Sequence, residues 1–344
     1  MNLNIWKNIT KSKATSTVAE NQIQRLLEGR TIGQPLHYGH LSMIPIFGSN
    51  CQAGAYAAPE TALKLTSVRT YGEMHLNNLA EKPTIVPLNL GYFQQGAQNH
   101  ALCTGWILAP NEEKLFKDAC CIQASQGGYI KNSDERFIVL PHQLRKKALA
   151  LQGINNYSKL WSSIALFNNG LGLKNRGHLD ELKQAFQPEL LQTTYHLELQ
   201  PNQTGAIFLC QDEVMGIELA PDANYWAELH KPLVMYCYAP LRLQLEQQNI
   251  EPKRGQALNT EGVTTLKALK EVYQTTQMNR MVTAKNTVTT IGGERFEAQT
   301  HQKFDNDKLL NIKTMTFEGQ AVMHGQAVAY VSLFNHKAYQ IEGK

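Results

Sequence analysis

Between residues 84 and 129 the chain reads TIVPLNLGYFQQGAQNHALCTGWILAPNEEKLFKDACCIQASQGGY, three short apolar runs each cut off before it could become a helix. The first, 84–90, is rich in β-branched residues and passes into a polar bend at 94–100. The second, 102–108, stops at Pro110, and the third, 119–122, runs out into Gly127, Gly128 and Tyr129. Apolar runs of this length, bounded by glycine, proline and amides, read as strands. The chain must therefore build sheet here, with Gln98, Asn99 and His100 on a bend that joins buried strands.

The flanking sequence extends that reading to an α+β fold, a β-rich body of antiparallel hairpins with segregated helices. Residues 1–28 form an N-terminal appendage, 29–250 the main body, and 251–344 a helix followed by strands that completes the same body. Residues 36–47 alternate as a strand pair turning at Gly39 or as a single bent strand, Pro59 opens a short helix over 60–65, and 68–79 is a further strand. Helical spacing marks 141–151 and 157–167, and a helix over 179–186 stops ahead of Pro188. From 195 the pattern changes to strands, TYHLEL and then the hairpin GAIFLC/VMGIEL around a QDE turn. A buried helix is expected over 224–245, with Pro232 near a kink or a first turn. After the linker QNIEPKRGQALNTEG, a helix covers 263–273 and TVTTIG at 287–292 begins a strand-rich tail.

Composition narrows the function. In 344 residues the charged share is 18% and the net charge +4, with the positive residues dispersed. Nucleic-acid binding calls for a basic stripe with exposed aromatics, and the densest cluster, Arg145-Lys146-Lys147, reads as the solvated face of a helix. No apolar run approaches the roughly 20 residues that cross a bilayer, and the N-terminus lacks the apolar core of a signal peptide. The six cysteines sit mostly in apolar runs without metal-ligand spacing, which fits buried, reduced thiols in a cytoplasmic protein. Neither nucleic acid nor membrane is expected as a partner, and no metal site is expected.

The chemistry-bearing residues each have two readings. Gln98 and Asn99 can read the edge of a base or ribose, with His100 as an acid near neutral pH, or they can bond their own backbone in a turn. Cys121 or Cys103 beside His100 would resemble a nucleophile and its base, but apolar flanks favour inert packing. Gly127 and Gly128, with Tyr129, can bring backbone donors to a phosphate or can simply mark a turn. Arg295, after Gly292-Gly293-Glu294, is a phosphate partner by type. His37, His40 and His75 could converge if the first strands pair, though without a carboxylate at a set spacing. Trp161, Tyr225 and Trp226 fall at helical spacing among aliphatic residues and read as core.

The order of these features resembles the ARPP family, the ADP-ribosylglycohydrolase- and rhodanese-phosphatase-superfamily-associated protein domain, over about 32–334. The matching positions are Gly96, Gln98, Asn99 and His100; Pro110; Cys121 and Gln123 with Gly127, Gly128 and Tyr129; Leu160-Trp161; Gly205 and 216–219; and 331–334. The resemblance implies a prokaryotic domain that keeps company with enzymes of ADP-ribose and nucleotide metabolism and with conflict systems. The chain departs from the pattern at His100, where an arginine is expected, at Gln123, where a glutamate is expected, and at Gly91-Tyr92, which stands where the family sometimes carries an acidic pair. A neutral amide can hold a ligand but cannot exchange a proton.

Residues and resemblance together point to a ligand-binding or enzyme-like domain for a nucleotide or ADP-ribose-type small molecule, in a prokaryotic defence or NAD-linked system. The ligand would meet Gln98, Asn99, His100, Gln123, Gly127, Gly128, Tyr129 and Arg295, with His100 and Cys121 as the candidates for any catalysis. The alternative is a non-catalytic protein-interaction or scaffold component whose pocket has lost its charges. Sequence alone leaves the cofactor undetermined.

Overall fold

The computed structural model describes residues 22–67, 71–94, 98–124, 136–253 and 258–339. The chain opens with α1 (Ile23–Leu26), β1 (Thr31–Ile32), β2 (Leu36–Tyr38), β3 (Leu41–Phe47), α2 (Pro59–Ala62), β4 (Leu63–Ser67) and β5 (Met74–Asn78). It continues through β6 (Thr84–Val86), β7 (Leu90–Phe93), β8 (His100–Ala101), β9 (Trp106–Leu108), β10 (Glu113–Phe116), β11 (Cys120–Cys121) and β12 (Arg136–Val139). Three helices follow, α3 (His142–Ala150), α4 (Trp161–Gly170) and α5 (Asp180–His196), then the hairpin β13 (Gln203–Cys210) and β14 (Glu213–Leu219). Next come α6 (Ala223–Pro232), a π-helical segment (Leu233–Tyr238) and α7 (Ala239–Gln247). The long α8 (Leu266–Gly292) leads into β15 (Phe296–Phe304), β16 (Asp307–Thr314), β17 (Phe317–His324) and β18 (Ala327–Asn335).

A nine-stranded antiparallel sheet is the frame, in the order β1, β3, β13, β14, β18, β17, β16, β15, with β2 also on β3. Every residue of β13 is buried. Its period of two sends Ala206, Phe208 and Cys210 to one face and Ile207 and Leu209 to the other, so a strand covered on both sides needs apolar residues throughout. On one face α1 and α8 pack Ile23, Leu26, Ala284 and Ile291 against Ile44, Ile207 and Val331. On the other lie Trp226 of α6, Cys237 and Tyr238 of the π segment and Leu241 of α7, together with three small sheets, β10-β5-β4, β11-β8-β7-β12 and β6-β9. Helices α3 to α5 then cover the β11-β8-β7-β12 sheet, with Leu144, Ile164 and Leu182 against Ala101, Cys120 and Ile138. The architecture is α+β and β-rich, with antiparallel sheets. Among the described residues no helix is long and apolar enough to cross a membrane.

Several elements differ from the sequence expectation, each for a physical reason. The helix after Pro59 is a single turn, because Leu63 and Leu65 alternate into the core as β4. Of 68–79, the strand is Met74–Asn78, and residues 68–70 lie outside the described residues. Helix α4 starts at Trp161, and Tyr157 sits in the turn before it. Pro188 does not end α5: the backbone breaks at Phe186 (φ −124°, ψ 22°), so Pro188 falls in the first turn of a fresh helical stretch, where its missing donor costs nothing. That stretch runs to His196, so TYHLEL is not a strand. Residues 287–292 are the end of α8, not a strand: Thr287, Thr289 and Thr290 donate their hydroxyls to the carbonyls four residues back, and Ala284 and Ile291 supply the buried face. Pro232, with helical backbone angles, is the last residue of α6, and the π segment begins at the next residue.

Candidate functional site

β8 begins at His100 and pairs with β7 on one side and β11 on the other, placing His100 opposite Tyr92 and Cys121. Ile122 donates its N–H to the Asn99 carbonyl (2.9 Å), so the residues just outside each strand end are also held together. Asn99 Nδ2 donates to Gln123 Oε1, Asn99 Oδ1 accepts from the Gln94 N–H (2.7 Å), and Gln123 Nε2 donates to Asp180 Oδ2 (3.3 Å). Gln98, Asn99, His100 and Gln123 are all buried and form one corner. The Asn99 and Gln123 amides are tolerated in burial because each finds partners.

His100 is held from both ring nitrogens. Nδ1 lies 3.2 Å from the Gln98 carbonyl and Nε2 accepts the Gly72 N–H at 3.4 Å, an arrangement that suits a neutral ring with its proton on Nδ1. Burial pushes its pKa down to about 4, against the opposing pull of the Gln98 carbonyl. Cys121 stands opposite it across the ladder, but its thiol lies 3.3 Å from the Gln123 carbonyl and beside Trp161. Burial raises that thiol's pKa, and the two residues make no hydrogen bond to each other.

Asp180, the first residue of α5, is the carboxylate that sequence reasoning missed. Burial raises its pKa, opposed first by His178, and it accepts from Gln184 Nε2 at 2.8 Å while its Oδ1 is buried without a hydrogen bond. A negative group in a first helical turn faces the positive end of the helix dipole. Asp180 thus stands behind Gln123, the amide at the position where the resemblance implies a glutamate.

Other predicted residues fall elsewhere. Gly96, Gly127, Gly128 and Tyr129 lie outside the described residues. Arg295 is exposed, in an isolated bridge with Gln22 just before β15. Cys103 meets Cys120, not Cys121, with the sulfurs 3.5 Å apart, because one step along a strand turns a side chain to the opposite face. The Cys120 thiol lowers the Cys103 pKa, with burial opposing and Lys159 assisting. His75 pairs with Glu113 at 3.2 Å, away from His37 and His40, and among the described residues no group of histidines, cysteines and carboxylates could hold a metal.

The largest correction concerns Arg145. Lys146 and Lys147 are solvated as expected, but Arg145 is fully buried at the centre of the long sheet. Its Nη1 donates to Glu218 (2.6 Å), Nη2 to Ser332 Oγ (2.5 Å) and Nε to Asn89 Oδ1 (3.3 Å), and the guanidinium lies 5.0 Å from the Phe334 ring centre. Tyr238 adds a hydrogen bond to the same Glu218 oxygen (2.8 Å). Burial pulls the Arg145 pKa down, but Glu218, Cys237 and Tyr238 together hold it above the ordinary arginine value. A sequence signal existed: Glu218 stands between the apolar Ile217 and Leu219 in β14, and a buried carboxylate requires a cation. Gly216, Ser332 and Phe334, positions that carried the family resemblance, all border this centre. A Cβ at Gly216 would stand 1.9 Å from the Tyr238 hydroxyl.

Compared with known proteins, residues 29–334 match a family model described as the ARG and Rhodanese-Phosphatase-superfamily-associated Protein domain, ARPP-1. No curated protein and no solved structure matches the chain significantly.

Proposed function

The chain belongs to the ARPP-1 family, and on that premise we propose that it binds a nucleotide- or ADP-ribose-type small molecule through the corner formed by Gln98, Asn99, His100 and Gln123, in a prokaryotic defence or NAD-linked system. The observation that supports this reading is the hydrogen-bonded chain Asn99, Gln123, Asp180, in which two buried amides end on a partly exposed carboxylate. Amides offer paired donors and acceptors that match a base edge, and a carboxylate accepts from ribose hydroxyls. The reading is one of binding. His100 is neutral at pH 7 with its lone pair taken by Gly72, and burial keeps Cys121 a thiol, so neither is poised to exchange a proton.

Thermal-shift measurements with ADP-ribose, NAD and cyclic nucleotides test it. A ligand at a hundred times its Kd stabilises the folded state by about 2.7 kcal/mol, and Asn99→Ala or Gln123→Ala should abolish the response. A second reading, a protein-interaction or scaffold component with a degenerate pocket, is favoured by the extent to which the corner satisfies its own hydrogen bonds. Silence across the whole panel would make it the better account.

A further inference from the structure

Two sulfurs meet where β8, β11 and the turn ahead of α4 come together, and the hydrogen bonds of the amide corner use neither of them. Cys103 stands two residues past β8 and Cys120 opens β11; their Sγ atoms are 3.5 Å apart and both residues are buried. All six cysteines are free thiols, and among the described residues Cys103 and Cys120 are the pair whose sulfurs touch. A disulfide holds its sulfurs about 2.05 Å apart, so an approach of about 1.5 Å separates the dithiol from the bonded pair.

What covers Cys103 is thin. Its Sγ lies 3.2 Å from the Asp118 carbonyl oxygen, and the Lys159 ammonium donates to that same oxygen at 2.6 Å. Lys159 also donates to the carbonyls of Leu151 (3.0 Å) and Ile154 (2.8 Å), and Gly153 donates its N–H to Asp118 Oδ2 (2.7 Å), so the turn over 151–159 is strapped to Asp118. Residues 152–157 of that turn are all exposed. Local opening of a surface turn costs far less than unfolding, so a molecule the size of hydrogen peroxide has a short way in. The two thiols are also unequal. Contact with Cys120 lowers the Cys103 pKa, with burial opposing and the Lys159 charge assisting, whereas contact with Cys103 and burial both raise that of Cys120. The thiolate, which is the nucleophile, therefore forms at Cys103.

We propose that Cys103 and Cys120 form a redox switch: a hydroperoxide oxidises the pair to a disulfide that draws β11 toward the β8–β9 loop, and a small thiol reopens it. The Cys103 thiolate attacks one peroxide oxygen, the O–O bond breaks, and the leaving oxygen departs as water with the thiol's proton. The Cys120 sulfur then bonds to the Cys103 sulfur as the new S–O bond breaks, and the hydroxyl leaves as a second water with the Cys120 proton. The pair loses two electrons and the peroxide gains them. Two small thiols reverse the change by exchange and leave as their own disulfide. The movement reaches the amide corner because β11 is only two residues long: Cys121 pairs with His100, and the Ile122 N–H is bonded to the Asn99 carbonyl. The switch stands on the sulfur geometry and does not depend on what the corner binds.

Peptide mass mapping of the full, reduced chain after treatment with hydrogen peroxide and alkylation of the remaining thiols tests the switch. The expected product is a single disulfide between Cys103 and Cys120, with Cys51, Cys121, Cys210 and Cys237 recovered as thiols and the pair restored by a thiol reductant. In Cys120→Ser, Cys103 should accumulate as a sulfenic acid that a 1,3-diketone traps; in Cys103→Ser, Cys120 should give at least tenfold less adduct. The amide resonances of Asn99, His100 and Ile122 should shift on oxidation of the parent and stay in place in either serine variant. Should a serine variant not fold, the parent's disulfide map and spectra still decide. Absence of the disulfide, pairing through Cys121, closure only in urea, or sulfenic acid at Cys120 rather than Cys103 would overturn the proposal, as would a disulfide that leaves those three amides unshifted.

Discussion

Two buried polar clusters in this molecule are built on opposite principles. The centre of the long sheet holds a full ion pair, Arg145 with Glu218, tied to side chains from α3, β14, β18 and the π segment, with Asn89 besides. The β8–β11 corner holds three neutral amides and a neutral imidazole: Asn99 and Gln123 bond to each other, to backbone and to one carboxylate at a helix start, and His100 bonds to backbone. A buried charge is tolerable only when every partner stays in place, so the ionic centre is bound to the fold. Neutral groups can trade one hydrogen bond for another at little cost, so a ligand can enter only the second kind of cluster without unmaking the protein. The residues that carried the family resemblance divide accordingly: Gly216, Ser332 and Phe334 serve the ionic centre, and Asn99 and Gln123 the corner.

The hardest test of that contrast is Arg145→Met. It strands the Glu218 carboxylate in full burial and should cost about 3–5 kcal/mol by urea unfolding. Arg145→Met combined with Glu218→Leu should recover most of the loss, because removing both charges removes the desolvation cost as well. A single-variant loss under about 1 kcal/mol would erase the distinction between the two clusters.

Acid should act on both clusters at once. His142, beside the ionic centre, and His100, in the corner, are pushed by burial to about 3 and about 4, with Arg145 adding to the depression at His142. A histidine whose folded pKa is depressed contributes stability that is fully present above its unfolded value near 6.5 and is lost as pH falls from there toward 4 or 3, because only the unfolded chain takes up the proton. Over these windows His142 should contribute roughly 5 kcal/mol and His100 roughly 3 kcal/mol. Urea unfolding at pH 7, 5.5 and 4 should show the decline, and His100→Gln should flatten it. An equal slope in the variant would mean that His100 is not held neutral.

Gly216→Ala separates packing from charge. The new methyl would displace the Tyr238 hydroxyl from Glu218 and would also stand 3.0 Å from the Leu333 carbonyl oxygen. Overpacking of this kind costs about 1–3 kcal/mol, and the corner's ligand response should survive it unchanged in thermal-shift assays.

Much of the fold was legible wherever one period governed a segment. The β13–β14 hairpin shows continuous apolar runs on either side of a short turn, and α3 shows its spacing at Leu144 and Ala148. What was illegible depended on distant partners. Nothing local says that Arg145 points inward while Lys146 and Lys147 point out, because Glu218 lies 73 residues further along. The threonine-rich end of α8 has strand propensity and becomes helix only because Ala284 and Ile291 meet the sheet. At the candidate site the amide-bearing bend could be seen, but not the carboxylate behind it, since Asp180 is 57 residues from Gln123. Cys120 could not be told from Cys121 without the register of β11.

The smallest expected effect is also the one that bears most directly on the corner's chemistry. Gln123→Glu introduces the carboxylate that the resemblance implies at this position and removes the donor that now reaches Asp180 at 3.3 Å. Two like charges at that distance disfavour joint ionisation, so the introduced group should have a folded pKa above the ordinary glutamate value near 4.3. The variant should therefore be less stable than the parent at pH 7, by about 1 kcal/mol given the partial exposure of Asp180. The deficit should shrink below pH 5, as the introduced carboxyl takes up a proton and can again donate to Asp180. Urea unfolding of both proteins at pH 7 and 4.5 measures the difference. A deficit that stays constant with pH would show that Asp180 and position 123 do not share a proton-sensitive contact, and the corner would then be no more than a set of amides closing a turn.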